Sequence, residues 1–211
     1  MNDAMKAFRI RCASFFQPLW PGEDKVIVFG EGNMEKPRLM LIGEAPGEQE
    51  VMQGKPFVGK AGKNLDAFLE SVHLKREEIY ISNVVKIRPT KVSEKGRVSN
   101  RPPSREEIGL FLPWLKEEIG LVSPELLVTL GNVALKSLLG KGTIGEAHGR
   151  FLRAAVSAHQ EKEREYPLFA LYHPASIIYN RSLSQVYAGD LHILDEALKK
   201  GPLAFGAQTD N

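Results

Sequence analysis

The chain has 211 residues, 43% of them hydrophobic and 26% charged, which fits one α/β domain with a well-buried core. No apolar run is long enough to span a bilayer and no secretory leader is legible, so a cytoplasmic location is expected. The single cysteine, Cys12, excludes an intramolecular disulfide and any four-cysteine metal or iron–sulfur site within the chain.

Met1–Pro37 shows no long period, although Phe15, Phe16, Leu19 and Trp20 suit an N-terminal helix and turn packed on a core. Leu39–Gly43 is a continuous apolar run, the pattern of a strand buried on both faces of a parallel sheet. It stops at Gly43-Glu44-Ala45-Pro46-Gly47, and a polar loop leads to a helix over Lys63–Val72 with Leu65, Phe68, Leu69 and Val72 on one stripe. Glu78–Val85 reads as a second strand. It runs into a stretch, Lys86–Arg105, that carries seven basic residues against one acid, Glu94. Such a stretch is either a solvated loop or a phosphate-contacting one. Pro102-Pro103 stops the chain, and Ser104 with Glu107 forms a capping box for a helix to about Ile119, bent near Pro113. Glu125–Leu130 is a third strand, followed by a short helix from Gly131-Asn132 to Leu139. Gly149–Ser157 and Pro167–Tyr172 read as two more strands around a charged turn, His159–Glu165. A helix from about Ser184 to Lys199 closes a single domain over 1–200, and 201–211 is expected to be a flexible tail. There is no internal repeat.

With right-handed crossovers, this β-α alternation brings parallel strand ends to one edge. Gly43–Gly47, Asn83–Lys86 and His173–Ser176 are expected to meet there.

Several chemistries fit poorly. Gly54–Lys60 matches GxxxxGK, but Ala61 stands where a magnesium-holding Ser or Thr belongs, and the strand ended well before, at Gly43. The five histidines, His73, His148, His159, His173 and His192, form no HxH or HxxxH pair, and GxSxG is absent. Three residues carry more. His173 precedes Pro174, which holds the backbone extended and presents an imidazole at a strand end. Asn83 ends the neighbouring strand, where an amide is either a turn residue or a reader of a donor–acceptor edge. Phe57 sits in a polar Gly/Pro loop, where an aromatic ring can stack on a flat ligand.

Taken together, Gly43-Glu44-Ala45-Pro46-Gly47, Gly54-Lys55-Pro56-Phe57-Val58-Gly59, Asn83-Val84-Val85-Lys86 and His173-Pro174-Ala175 resemble the motifs of uracil-DNA glycosylases, in order and spacing, over Arg38–Arg181. The nearest branch in kind is family 4, the iron–sulfur type. The resemblance implies a three-layer α/β/α sandwich around a mostly parallel sheet of four to five strands. It implies an enzyme that flips uracil from DNA and hydrolyses its N-glycosidic bond, leaving an abasic site for base excision repair. Glu44, Glu50 and His173 are the implied catalytic residues; Gly43, Ala45, Phe57 and Asn83 the implied base-binding ones. Lys86, Arg88, Lys91, Ser176 and Arg181 are candidate DNA contacts. The expected protein is a monomer acting on uracil-containing DNA, with no metal, cofactor or membrane. The alternative is a weakly active or non-catalytic DNA-binding relative with the same fold.

Three departures from the family pattern stand out. Cys12 matches one of four cluster cysteines, but Phe15, Ile87 and Phe111 occupy the other positions, so mutual apolar packing of those three is expected to replace the cluster. Val51 stands where the family often has an acid, and Ala45 where the best-known branch has its catalytic acid. Asn100 occupies the position of a histidine that traps DNA covalently in a related branch, so turnover without an adduct is expected.

Overall fold

The computed structural model describes residues 2–22, 25–157, 162–202 and 205. In chain order the elements are helix α1 (Asp3–Phe16), strands β1 (Glu31–Gly32) and β2 (Leu39–Gly43), helices α2 (Glu48–Gln53) and α3 (Lys60–Ser71), and strand β3 (Tyr80–Asn83). A hairpin follows, β4 (Thr90–Val92) and β5 (Val98–Asn100), then helix α4 (Arg105–Val122), strand β6 (Leu126–Leu130) and helices α5 (Asn132–Leu139) and α6 (Ile144–Ala147). Strands β7 (Phe151–Val156) and β8 (Arg164–Leu171) and helices α7 (Pro174–Tyr179) and α8 (Leu183–Lys200) complete it.

The central sheet has the order β1-β3-β2-β6-β8-β7. The inner four strands are parallel, and an antiparallel strand closes each edge. The expected four to five strands are therefore six. The extra one, β1, is two residues long and held by backbone pairing to Tyr80 and Ile81, so it has no hydrophobic period to read.

All five residues of β2 are buried, and its side chains alternate between two cores. Met40 and Ile42 face α1, α4 and α5; Leu39 and Leu41 face α3 and α8. This is the expected three-layer sandwich. The Ser104–Glu107 capping box forms as read, with reciprocal bonds of 2.7 and 3.1 Å, and α4 continues through Pro113 to Val122.

The basic stretch is not a featureless loop. It folds into the β4–β5 hairpin, whose pairs are Thr90 with Asn100, Lys91 with Ser99, and Val92 with Val98. The turn to the left-handed region at Gly96 (φ 75°) closes it. The expected charged turn lies partly outside the described residues, as does most of the expected tail. Within that tail Phe205 is buried, its ring 5.9 Å from that of Phe151.

Candidate active site

Parallel register puts Gly43 directly beside Asn83, so the ends of β2 and β3 form one floor. A Cβ on Gly43 would lie 2.4 Å from Asn83 Oδ1 and 2.5 Å from the tip of the Phe57 ring. Only glycine lets that amide and that ring approach. Asn83 is 2% exposed, yet its side-chain amide has no hydrogen-bond partner among the described residues. An amide left without a protein partner at a strand end keeps its donor and acceptor free to read a ligand edge.

Phe57 has a φ of 53°, a conformation an aromatic residue adopts only when held there. Its carbonyl accepts from Arg76 Nη2 at 2.7 Å, and the first turn of α3 closes on it at Gly62. The ring is buried and lies 5.9 Å from the imidazole of His173, inclined by 28°. His173 caps α7: its Nδ1 accepts the Ala175 N–H at 3.2 Å. An accepting Nδ1 places the proton of a neutral ring on Nε2, which leaves Nε2–H as a donor. Burial holds the imidazole below its ordinary value, in the neutral form. Gly131 has a φ of 88°, and a Cβ there would lie 3.2 Å from the His173 Cβ. Asn64 on α3 donates to the Pro174 carbonyl at 3.0 Å, tying this loop to the Phe57 side. The three strand ends converge as expected.

The two candidate carboxylates differ sharply. Glu50 is buried, and its oxygens accept from the backbone N–H groups of Gly47 (3.1 Å), Val58 (3.1 Å) and Gly59 (2.8 Å). It ties the start of α2 to the far end of the Phe57 loop and puts an internal anion on the GxxxxGK loop. Both of its oxygens are engaged by the loop, the geometry of a carboxylate that positions its surroundings. Glu44 is half-buried and has no side-chain partner among the described residues. Burial pushes its carboxyl up from the ordinary carboxylate range. Ala45 packs its methyl against the α1/α4 side of the core.

The DNA-contact candidates also separate. Lys86 is fully buried, so it cannot reach a phosphate, a correction to the sequence reading. Its ammonium donates to Glu118 (2.5 Å), Ser82 (2.6 Å) and the Asn83 carbonyl (2.9 Å), while Tyr80 donates to the other Glu118 oxygen. Arg88 is half-buried and engaged by Asn100 (2.7 Å) and Glu48 (3.2 Å). Lys91 and Arg181 are exposed. Ser176 is half-buried behind His173, its backbone N–H donating to the His173 carbonyl at 2.8 Å.

Sequence reasoning missed Asn64, Arg76 and Glu118, which support the site from helices or turns in ordinary surface-like patterns. Lys86 carried a signal: a lone charge inside the apolar run Ile79–Ile87. A cavity of about 800 Å³ lies on the far side of Phe57, among Lys55, Lys63, Asp66 and Arg76. It includes neither Asn83 nor His173, and Arg76–Asp66 and Lys55–Glu31 ion pairs neutralise its charges.

The residues at the expected cluster positions do not fit an iron–sulfur centre. Cys12 is the one thiol, and burial pushes it up to about 12, away from the thiolate that binds metal. Aromatic rings fill the space, but not the three side chains expected. Phe16, not Phe15, stacks on Phe111 at 4.0 Å with an interplanar angle of 9°, and Trp20 stacks on Phe16 at 5.8 Å. Met5, Phe8, Cys12 and Phe16 follow the buried stripe of α1, whereas Phe15 lies at its edge, 46% exposed. Ile87 and Phe111 are buried in this cluster as expected. No group of three or more His, Cys, Asp or Glu among the described residues could hold a metal ion.

The parallel sheet edge thus carries an amide without a protein partner, a half-buried imidazole and an aromatic ring, groups that can read the edge and face of a planar heterocycle. Comparison with known proteins agrees with that class. The family model of the uracil DNA glycosylase superfamily matches residues 29–192. The type-4 uracil-DNA glycosylase of Saccharolobus solfataricus is 36% identical over 185 residues, covering 85% of this chain and 79% of the relative. That of Archaeoglobus fulgidus is 33% identical, covering 83% and 84%. The crystal structure of wild-type SMUG2 from Pedobacter heparinus shares the fold, with a TM-score of 0.54 at 17% identity over 79% of this chain and 77% of that one. The chain belongs to the uracil-DNA glycosylase superfamily.

Proposed function

We propose that this protein is a monofunctional uracil-DNA glycosylase that flips uracil out of DNA and hydrolyses its N-glycosidic bond. The observation that carries this reading is the Asn83 amide, without a partner among the described residues, set across Gly43 from the Phe57 ring, with the His173 imidazole 5.9 Å from that ring. The family relatives named above bear the same activity in their names.

In this mechanism Phe57 stacks on the extruded base and Asn83 pairs with its Watson–Crick edge. The C1′–N1 bond breaks, and its electron pair passes onto the uracil ring. His173 Nε2–H donates to the developing negative charge on the pyrimidine O2, a contact that strengthens as the bond breaks. A water oxygen bonds to C1′, and its proton passes to Glu44, whose carboxylate has no side-chain partner among the described residues. Glu50 holds the Phe57 loop. Lys91, Arg181 and Ser176 are proposed to face the DNA strand. The reading also takes residues 1–200 as one domain acting as a monomer in the cytoplasm. No helix among the described residues is long and apolar enough to cross a membrane.

The test is DNA with a single labelled uracil, followed by alkali. Strand breaks at the uracil are expected, with His173→Ala and Asn83→Ala losing most activity while circular dichroism shows the fold intact. Tight binding without breaks would instead establish a binding protein, and wild-type rates in both variants would refute the pocket assignment.

A further inference from the structure

The β4–β5 hairpin carries an exposed apolar pair that the glycosylase site does not use. Val92 is 67% exposed and Val98 is 52% exposed, and they stand directly opposite each other. Paired residues of an antiparallel ladder share a face, and so do residues two apart on one strand. Val92 and Val98 therefore share their face with Thr90 and Asn100. Asn100 fixes where that face looks. Its Oδ1 accepts from Arg88 at 2.7 Å, Arg88 reaches Glu48 at the start of α2, and its Nδ2 lies beside Gly47. The face thus begins at the rim of the Gly43–Gly47 loop. The valines continue it outward by about 7 Å, two residues of strand rise.

The mount is firm. Arg101 donates to the Thr90 carbonyl at 3.0 Å and makes a two-pronged ion pair with Glu107 at 2.6 and 2.7 Å, fastening the hairpin base to the cap of α4. Around the valines the charge is mostly positive. Lys91, Lys95 and Arg97 are exposed and form no ion pair among the described residues; Glu94 is the one acid.

We propose that this hairpin is a DNA-reading wedge. Val92 and Val98 pack on the base left unstacked beside the flipped nucleotide, while Lys91, Lys95 and Arg97 contact flanking phosphates. The inference rests on the glycosylase reading and deepens it. Of the partners that could cover an apolar pair, DNA fits the surrounding cations and the adjoining base pocket.

The test uses Val92→Thr/Val98→Thr, which keeps shape and β-branching, and Lys91→Gln/Lys95→Gln/Arg97→Gln. The DNA is a duplex with 2-aminopurine next to the uracil, and a second duplex carries a stable abasic analogue. The valine variant is expected to lower the 2-aminopurine signal and the duplex affinity by about tenfold, with the salt slope unchanged. The charge variant is expected to reduce the slope of log affinity against log salt by about 0.9 for each phosphate it no longer neutralises. Wild-type fluorescence and affinity in the valine variant would overturn the wedge, whatever the uracil-release rate. If wild-type protein releases no uracil but abasic-duplex affinity still falls in the valine variant, the glycosylase reading fails and the wedge stands.

Discussion

Two glutamates six residues apart divide the work at this site because their oxygens have different neighbours. Glu50 accepts three backbone N–H groups and holds a loop; Glu44, just past the end of β2, has no side-chain partner among the described residues. Glu44→Gln is expected to lower kcat by about 10²–10⁴-fold with little change in melting temperature, as for loss of a general base. Glu50→Gln is expected to lower melting temperature and raise KM, because an amide oxygen replaces a charge-assisted acceptor and the Phe57 loop loosens. Steady-state kinetics and thermal melts on both variants check the division, and the opposite pattern would reverse the roles. His173 adds a pH signature. Its folded-state pKa lies below the ordinary 6.5 because burial disfavours the imidazolium. The unfolded chain then takes up a proton near 6.5 that the folded chain refuses, so this residue costs stability as pH falls below 6.5. Denaturant titrations from neutral to mildly acidic pH should show a shallower loss in His173→Gln than in wild type.

At the scale of elements, the end of β3 depends on charges buried behind it. Lys86, Glu118, Ser82 and Tyr80 form a closed network whose ammonium also holds the Asn83 carbonyl. Removing Lys86 or Glu118 leaves the other buried charge without its counter-ion. Lys86→Met is expected to cost about 3–5 kcal/mol. Lys86→Met/Glu118→Gln should cost less than that single change, since the second substitution removes the stranded anion. Urea unfolding of the variants measures this, and additive losses would show that the pair is not coupled. On the neighbouring elements, α1 and α4 meet through the stacked rings of Phe16 and Phe111, beside the buried Cys12. The same interface is thus closed here by area and packing. The helix period decided which ring enters: the stripe of α1 turns Phe16 inward and leaves Phe15 at the margin.

At the scale of the whole molecule, the sheet order decides function by bringing distant segments to one edge. The segments ending in Gly43, Asn83 and His173 are far apart in sequence, yet the first two share a register pair and the third lies across from Phe57. Much of this was legible. The buried strand Leu39–Gly43, the helical stripe before Val72, the Ser104–Glu107 cap and the closing helix each follow from a local period or a capping pair. Those signals depend on neighbours within one or two turns, so the sequence carries them. The short strand β1, the basic hairpin and the helix α2 had no such period and emerged only when folded. The fate of individual charges was also hidden. Lys86 and Lys91 are the same residue type in one basic stretch, but one lies at zero exposure against Glu118 and the other is in solvent. Family motifs and alternation of strand and helix were determined by the sequence alone. Which carboxylate is open, which lysine is buried and which phenylalanine fills the core were decided by tertiary structure, because each depends on partners distant in the chain.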